Sequence, residues 1–186
     1  TDENVAKTVG TYKCPFLGNE SRYITLKVKK DTLIQIDLAA DSANTPIKIA
    51  SGDWDTTITA GTDWTGYIWY PSHDTIMTIY GDVMKFDCME NYTNLTGIDV
   101  SHNKTLVKLY VNENDITSLD VSGCTKLYYL YAEENPSLTT LKVTSPSPAA
   151  RIPSSPGVTV SPTESSVSSA NILVVKISPA TTPKTR

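Results

Sequence analysis

The sequence predicts a mainly β protein in two parts. A small antiparallel, sandwich-like β-domain occupies residues 1–80, and a short solenoid of stacked units follows over 81–144. Two observations lead there. Apolar residues alternate with polar ones in short runs between Ile24 and Tyr80, the signature of half-buried strands. From Val83 onward the alternation gives way to a longer period: "LTGIDVSHN" (Leu95 to Asn103) returns twenty-one residues later as "ITSLDVSGC" (Ile116 to Cys124).

In the first part, Ile24-x-Leu26-x-Val28 and Ile34-x-Ile36-x-Leu38 alternate cleanly on either side of the turn signal Lys30-Asp31. Ile47-x-Ile49, Thr56 to Ala60, Gly66 to Tyr70 and Thr75 to Tyr80 follow, divided by clusters of Gly, Asp, Asn and Pro. Six short strands so punctuated suit an antiparallel domain. Ten Tyr against two Phe, with abundant Ser and Thr, fit strands with one wet face.

In the second part, Val83, Phe86, Cys88 and Asn91 are answered by Leu106, Leu109, Val111 and Asn114, then by Leu127, Leu130, Ala132 and Asn135. Between them stand Leu95, Ile98, Val100; Ile116, Leu119, Val121; and Leu138, Leu141, Val143. A period of about 22 residues marks units that bury their apolar edges against one another, with terminal caps needed to close the stack. The N-terminal strands are expected to cap one end. After Val143 the period stops. Residues 145–186, rich in Ser, Pro and Thr, read as a tail or C-terminal cap, with one strand-like run at "NILVVKI" (Asn171 to Ile177).

The spacing L-x-x-L-x-L-x-x-N-x-L, unbroken from Leu106 to Ile116, resembles a leucine-rich repeat. With the "LDVSGC" and "IDVSHN" half-units, it is similar to secreted and surface proteins of bacteria with a short 21–22-residue repeat, the internalin type. The resemblance covers about residues 75–144. It implies a strand at each x-L-x-L-x, an Asn bonded to the backbone of adjacent coils, and a binding or adhesion role outside the cell, either secreted or anchored at the outer surface. Four Asp-(Ser/Thr) triplets, starting at Asp31, Asp41, Asp55 and Asp74, resemble a short O-glycosylation signal and agree with export. The chain departs from the family in the extra Tyr92-Thr93-Asn94, in Pro136-Ser137, and in lacking a continuous cysteine ladder.

Several function classes are disfavoured. A formal net charge of −4, with both signs scattered, offers no basic face for nucleic acid. No run of 18 apolar residues exists, so no membrane insertion by this segment is expected. The two histidines, His73 and His102, belong to no catalytic pattern, and Cys14, Cys88 and Cys124 form no zinc spacing. The chain is therefore read as a non-enzyme without cofactor or metal. Its three cysteines leave one bridge open, but Cys88 and Cys124 fall on opposite limbs, too far apart to be joined.

Two binding surfaces stand out. The strand positions flanking each buried apolar residue point outward: Lys85, Lys108, Tyr129; Asp87, Tyr110, Tyr131; Met89, Asn112, Glu133. Of these, Lys85, Asp87, Lys108, Tyr110, Asn112, Tyr129, Tyr131 and Glu133 are the candidate site for a protein or glycan partner. The second is the aromatic cluster Trp54, Trp64 and Trp69, with Tyr67 and Tyr70, whose rings are suited to stack on sugars. That cluster makes a carbohydrate-binding module the alternative, and a structural spacer is the third reading.

Overall fold

The computed structural model describes residues 15–144, 159–163 and 174–176, with side chains as far as Val143. Cys14 lies outside the described residues, as does most of the tail. The fold is mainly β, and no helix occurs among the described residues. None is therefore long and apolar enough to cross a membrane.

The first six strands are β1 (Tyr23–Val28), β2 (Thr32–Ala40), β3 (Thr45–Ser51), β4 (Trp54–Ala60), β5 (Ile68–Ser72) and β6 (Ile76–Tyr80). All their pairings with one another are antiparallel. The alternation read from sequence puts Ile24, Leu26, Ile34, Ile36, Ile47, Ile49, Met77 and Ile79 inward, each at most 1% exposed. Turn chemistry fits the connections. Gly52 (φ 63°) opens the two-residue turn of the β3–β4 hairpin, and Asp31 (φ 58°) is a residue type that tolerates the left-handed region between β1 and β2.

The chain then runs through β7 (Val83–Asp87), β8 (Leu95–Asp99), β9 (Lys108–Tyr110), β10 (Ser118–Asp120), β11 (Tyr129–Tyr131) and β12 (Thr140–Thr144). β7, β9 and β11 lie parallel, placing Phe86, Leu109 and Leu130 side by side. On the opposite limb β10 and β12 are parallel, with Leu119 beside Leu141. Two segments of the tail extend these rows: β13 (Thr159–Thr163) pairs with β12, and β14 (Val174–Lys176) with β11. Pro162 in β13 is tolerated because that strand is the outer member of its sheet.

Hydrogen bonding passes from the antiparallel strands into the parallel ones through β2 and β7, while on the other side β8 ends an all-antiparallel sheet and β10, β12 and β13 form a separate three-stranded parallel one. β2 pairs with β7, giving a six-stranded sheet in the order β14-β11-β9-β7-β2-β5. β1 pairs with β8, giving a five-stranded sheet in the order β4-β3-β6-β1-β8. One hydrophobic cluster runs unbroken between them from Ile24 to Val143. Gly81 lies where the chain enters β7. Its φ is 129°, and an added Cβ would sit 2.6 Å from Ile47 Cδ1 and 2.9 Å from Pro46 O, so a side chain there is strained and also obstructed.

Three asparagines tie the parallel turns together. Asn114 Nδ2 donates to Val111 O in its own turn (2.9 Å) and to Cys88 O in the preceding one (3.0 Å). Asn135 does the same with Ala132 O and Val111 O. Asn91 donates to Cys88 O and, as the first of the three, to Gln35 O of β2, while its Oδ1 accepts the Gln35 N–H at 2.7 Å. Just before each asparagine, Glu90, Glu113 and Glu134 take φ near +55°, a conformation costing on the order of 1 kcal/mol for a residue with a Cβ. A second tie is Arg22, 13% exposed. It donates to Asn103 Oδ1 (2.9 Å), to Val83 O (2.8 Å) and to the carboxylates of Asp41 and Asp82, joining the start of β1 to the end of β2 and to the 100–103 turn.

Cys88 and Cys124 are buried free thiols. Burial pushes Cys124 up to about 12 and raises Cys88 well above the usual thiol range. Neither is poised to react, since the thiolate is the reactive form.

Two substitutions test the stacking. Leu109→Ala is expected to lower stability by about 2–5 kcal/mol, the range for emptying a core site. Asn114→Ala is expected to cost about 1–3 kcal/mol, because the buried Asn91 N–H loses its acceptor, Asn114 Oδ1, and Cys88 O and Val111 O each lose one of two donors. Both are read from denaturant midpoints, and wild-type midpoints in either variant would contradict this packing.

Candidate functional site

Because Ile34, Ile36, Phe86, Leu109 and Leu130 face the core, their neighbours in each strand face outward from the six-stranded sheet. Cross-strand register brings Lys85, Lys108 and Tyr129 into one row, and Asp87, Tyr110 and Tyr131 into the next. The same face continues across β2 and β5, where Gln35 stands opposite Trp69 and Leu33 opposite Pro71.

The tyrosines form one group. The Tyr110 ring lies 5.2 Å from Tyr129 (tilted) and 6.3 Å from Tyr131 (edge-on). All three are half-buried. Burial raises the Tyr110 phenol above its usual range, and a hydrogen bond with Glu133 raises that of Tyr131. These hydroxyls therefore remain neutral donors at neutral pH.

The loop 61–67 crosses this face. Gly66, at φ 81° with open space around it, supplies the turn. Trp64 meets Tyr110 edge-on at 5.8 Å, and the Lys85 ammonium sits 5.8 Å from the indole centroid while donating to Thr62 O at 2.9 Å. The loop is pinned by two hydroxyls: Thr65 Oγ1 donates to Asp37 Oδ1 (2.9 Å), and Tyr67 OH donates to Asp87 Oδ2 (2.9 Å). Asp37 and Asp87 are cross-strand partners, 7% and 6% exposed.

The eight sequence-nominated residues of the face thus occupy one surface but play different parts. Tyr110, Tyr129, Tyr131, Lys85, Lys108 and Glu133 are half-exposed along it. Asp87 points outward yet is roofed by the loop. Asn112 is 4% exposed, its Nδ2 near Met89 Sδ and Glu113, and its Oδ1 has no hydrogen-bond partner. The three tryptophans are dispersed. Trp64 joins the tyrosines, Trp54 stacks on His73 at 6.0 Å beside the β3–β4 turn, and Trp69 stands 53% exposed on β5. Thr65 and Tyr67 escape a sequence reading of anchors, since a loop of "GTDWTGY" carries no period to say what it covers. No group of three or more potential metal-ligating side chains forms a site among the described residues.

Burial is the main reason Asp87 rises from 3.8 to about 6; the nearby Asp37 and Glu90 add to it, while hydrogen bonds from Met89 N–H and Tyr67 OH oppose it. Between these two values the folded protein holds a proton there more firmly than the unfolded chain. Asp87 therefore contributes stability that grows as pH falls from about 7 toward 4, on the order of 1–3 kcal/mol in total. Denaturation of wild type and Asp87→Asn across this range is expected to show the gap between them changing in that direction. A gap independent of pH would rule the contribution out.

Comparison with known protein families, with curated proteins and with solved structures finds no match.

Proposed function

We propose that this chain is a leucine-rich repeat solenoid capped by its antiparallel strands, exported to the cell exterior or outer surface, and that it binds a protein or glycan without catalysing a reaction. The in-register parallel strands and the repeated Asn bonding support the repeat reading. One observation carries the binding reading: Trp64, Tyr110, Tyr129 and Tyr131 form a single half-exposed aromatic group at the centre of the outer face. A spacer has no need of it. The opposite limb manages with Ser118, Ser122 and Thr140 at its outward positions. Tyr and Trp concentrate binding energy because they offer large, stiff area with a polar handle. Lys108, Lys85 and Glu133 supply a polar rim of both signs around the rings.

The experiment is a glycan array and a surface-protein array probed with the full chain, followed by affinity measurement on the Tyr110→Ser, Tyr131→Ser double variant. A loss of about 30-fold or more is expected, corresponding to roughly 2 kcal/mol for a central aromatic contact. Unchanged affinity in a folded double variant would move the site off this face. An absence of any hit on both arrays would favour the spacer.

A further inference from the structure

Apart from the tyrosine group, the molecule carries an open cleft of ≈ 660 Å³ at the far side of the same sheet, whose lining includes Asp31, Leu33, Trp69, Pro71, His73 and Asn94. Its floor is apolar and uncovered: Trp69 is 53% and Leu33 52% exposed, and they lie on the same outer face with Pro71. Among the described residues no other ring and no hydrogen bond engages the Trp69 indole. The rim is polar, with the carboxylate of Asp31, the amide of Asn94 and the imidazole of His73.

Three separate segments build these walls, and the backbone locks them together. Val28 N–H donates to Thr75 O (2.9 Å), Lys29 N–H to Asn94 O (2.8 Å) and Asp31 N–H to Ser72 O (2.7 Å). Ser72, 1% exposed, fixes the junction through its hydroxyl, which bonds Lys29 O at 2.7 Å and accepts the Thr32 N–H at 3.1 Å. The His73 ring stacks on Trp54 at 6.0 Å. The cleft is thus formed before any ligand arrives, which removes most of the ordering cost of binding.

We propose that this cleft binds a neutral sugar ring of a glycan, the C–H face of the pyranose on Trp69 and its hydroxyls on Asp31, Asn94 and His73. An indole face is electron-rich and attracts polarised C–H bonds. The rim supplies acceptors from Asp31 and Asn94 and donors from Asn94 and His73, the mixture that hydroxyl groups require. Asp31 at the mouth disfavours an anion. A quaternary ammonium group is the rival, but a cation site of that kind surrounds its ligand with several rings, and here Trp69 is the one indole or phenol in the lining. This site stands independently of the tyrosine face.

The test titrates the full chain with gluco-, xylo-, manno-, galacto- and N-acetylglucosamine oligosaccharides, followed by calorimetry and tryptophan fluorescence. At least one is expected to bind with a Kd near or below about 1 mM. Trp69→Ala should weaken it by about tenfold or more, Asp31→Asn should weaken it while keeping a residue suited to φ 58°, and Trp69→Phe should retain most of it. A fluorescence change on sugar addition that wild type shows and Trp69→Ala lacks reads the cleft alone, so failure here and failure of the tyrosine face are told apart. The proposal is overturned if no oligosaccharide of the panel binds, if folded Trp69→Ala binds equally well, if only the tyrosine variant loses binding, or if tetramethylammonium binds in the cleft instead.

Discussion

The stack rests on how its turns satisfy their own backbone. Each turn that reverses from the six-stranded sheet toward the opposite limb buries carbonyl groups with no strand partner, and a buried orphan of that kind costs more than most single contacts contribute. One asparagine per turn meets the need, reaching its own turn and the one before it. The arrangement is contagious: every turn leaves a carbonyl for the next asparagine. It also demands a beginning. Gln35 of β2 provides it by offering Asn91 both a backbone carbonyl and an N–H. An antiparallel strand thereby stands in for the missing first turn.

That junction decides what the outer face looks like. Since β2 and β5 belong to the same sheet as β7, β9 and β11, the outer face is continuous from the Trp69 cleft to the tyrosines, with the 61–67 loop lying between them. Two facing carboxylates, Asp37 and Asp87, fill the space under the loop. They are poor groups to bury, yet each accepts a hydroxyl from the loop above, and the loop in turn holds Trp64 against Tyr110. The aromatic group is therefore set by three unrelated stretches of chain, none of which places it alone.

Much of the framework was legible in the sequence because it is periodic. The inward residues, the side-by-side placement of Leu109 and Leu130, and the six N-terminal strands follow from spacings of two residues and of about twenty-two. The site was legible in part. Alternation says that Asp87 and Asn112 leave the sheet on its outer side, but it does not reveal a loop roofing the one or neighbours closing over the other. Trp54, Trp64 and Trp69 look like one cluster along the chain, and two strands and a loop carry them to different places. Arg22 had no visible partner because Asp41, Asp82 and Asn103 are distant in sequence. Contacts set by tertiary closure leave no local period.

The glutamates before each ladder asparagine carry a further implication. Glu90, Glu113 and Glu134 occupy equivalent positions in successive turns, about one strand spacing apart, and none is ion-paired among the described residues. A file of like charges at that interval repels itself most strongly in dilute buffer, where the Debye length far exceeds the spacing, and much less once salt shortens it. The column runs beside the aromatic face, Glu90 near Asp87 and Glu134 near Tyr131, so the ionic medium acts on the charges of that face as well as on the column itself.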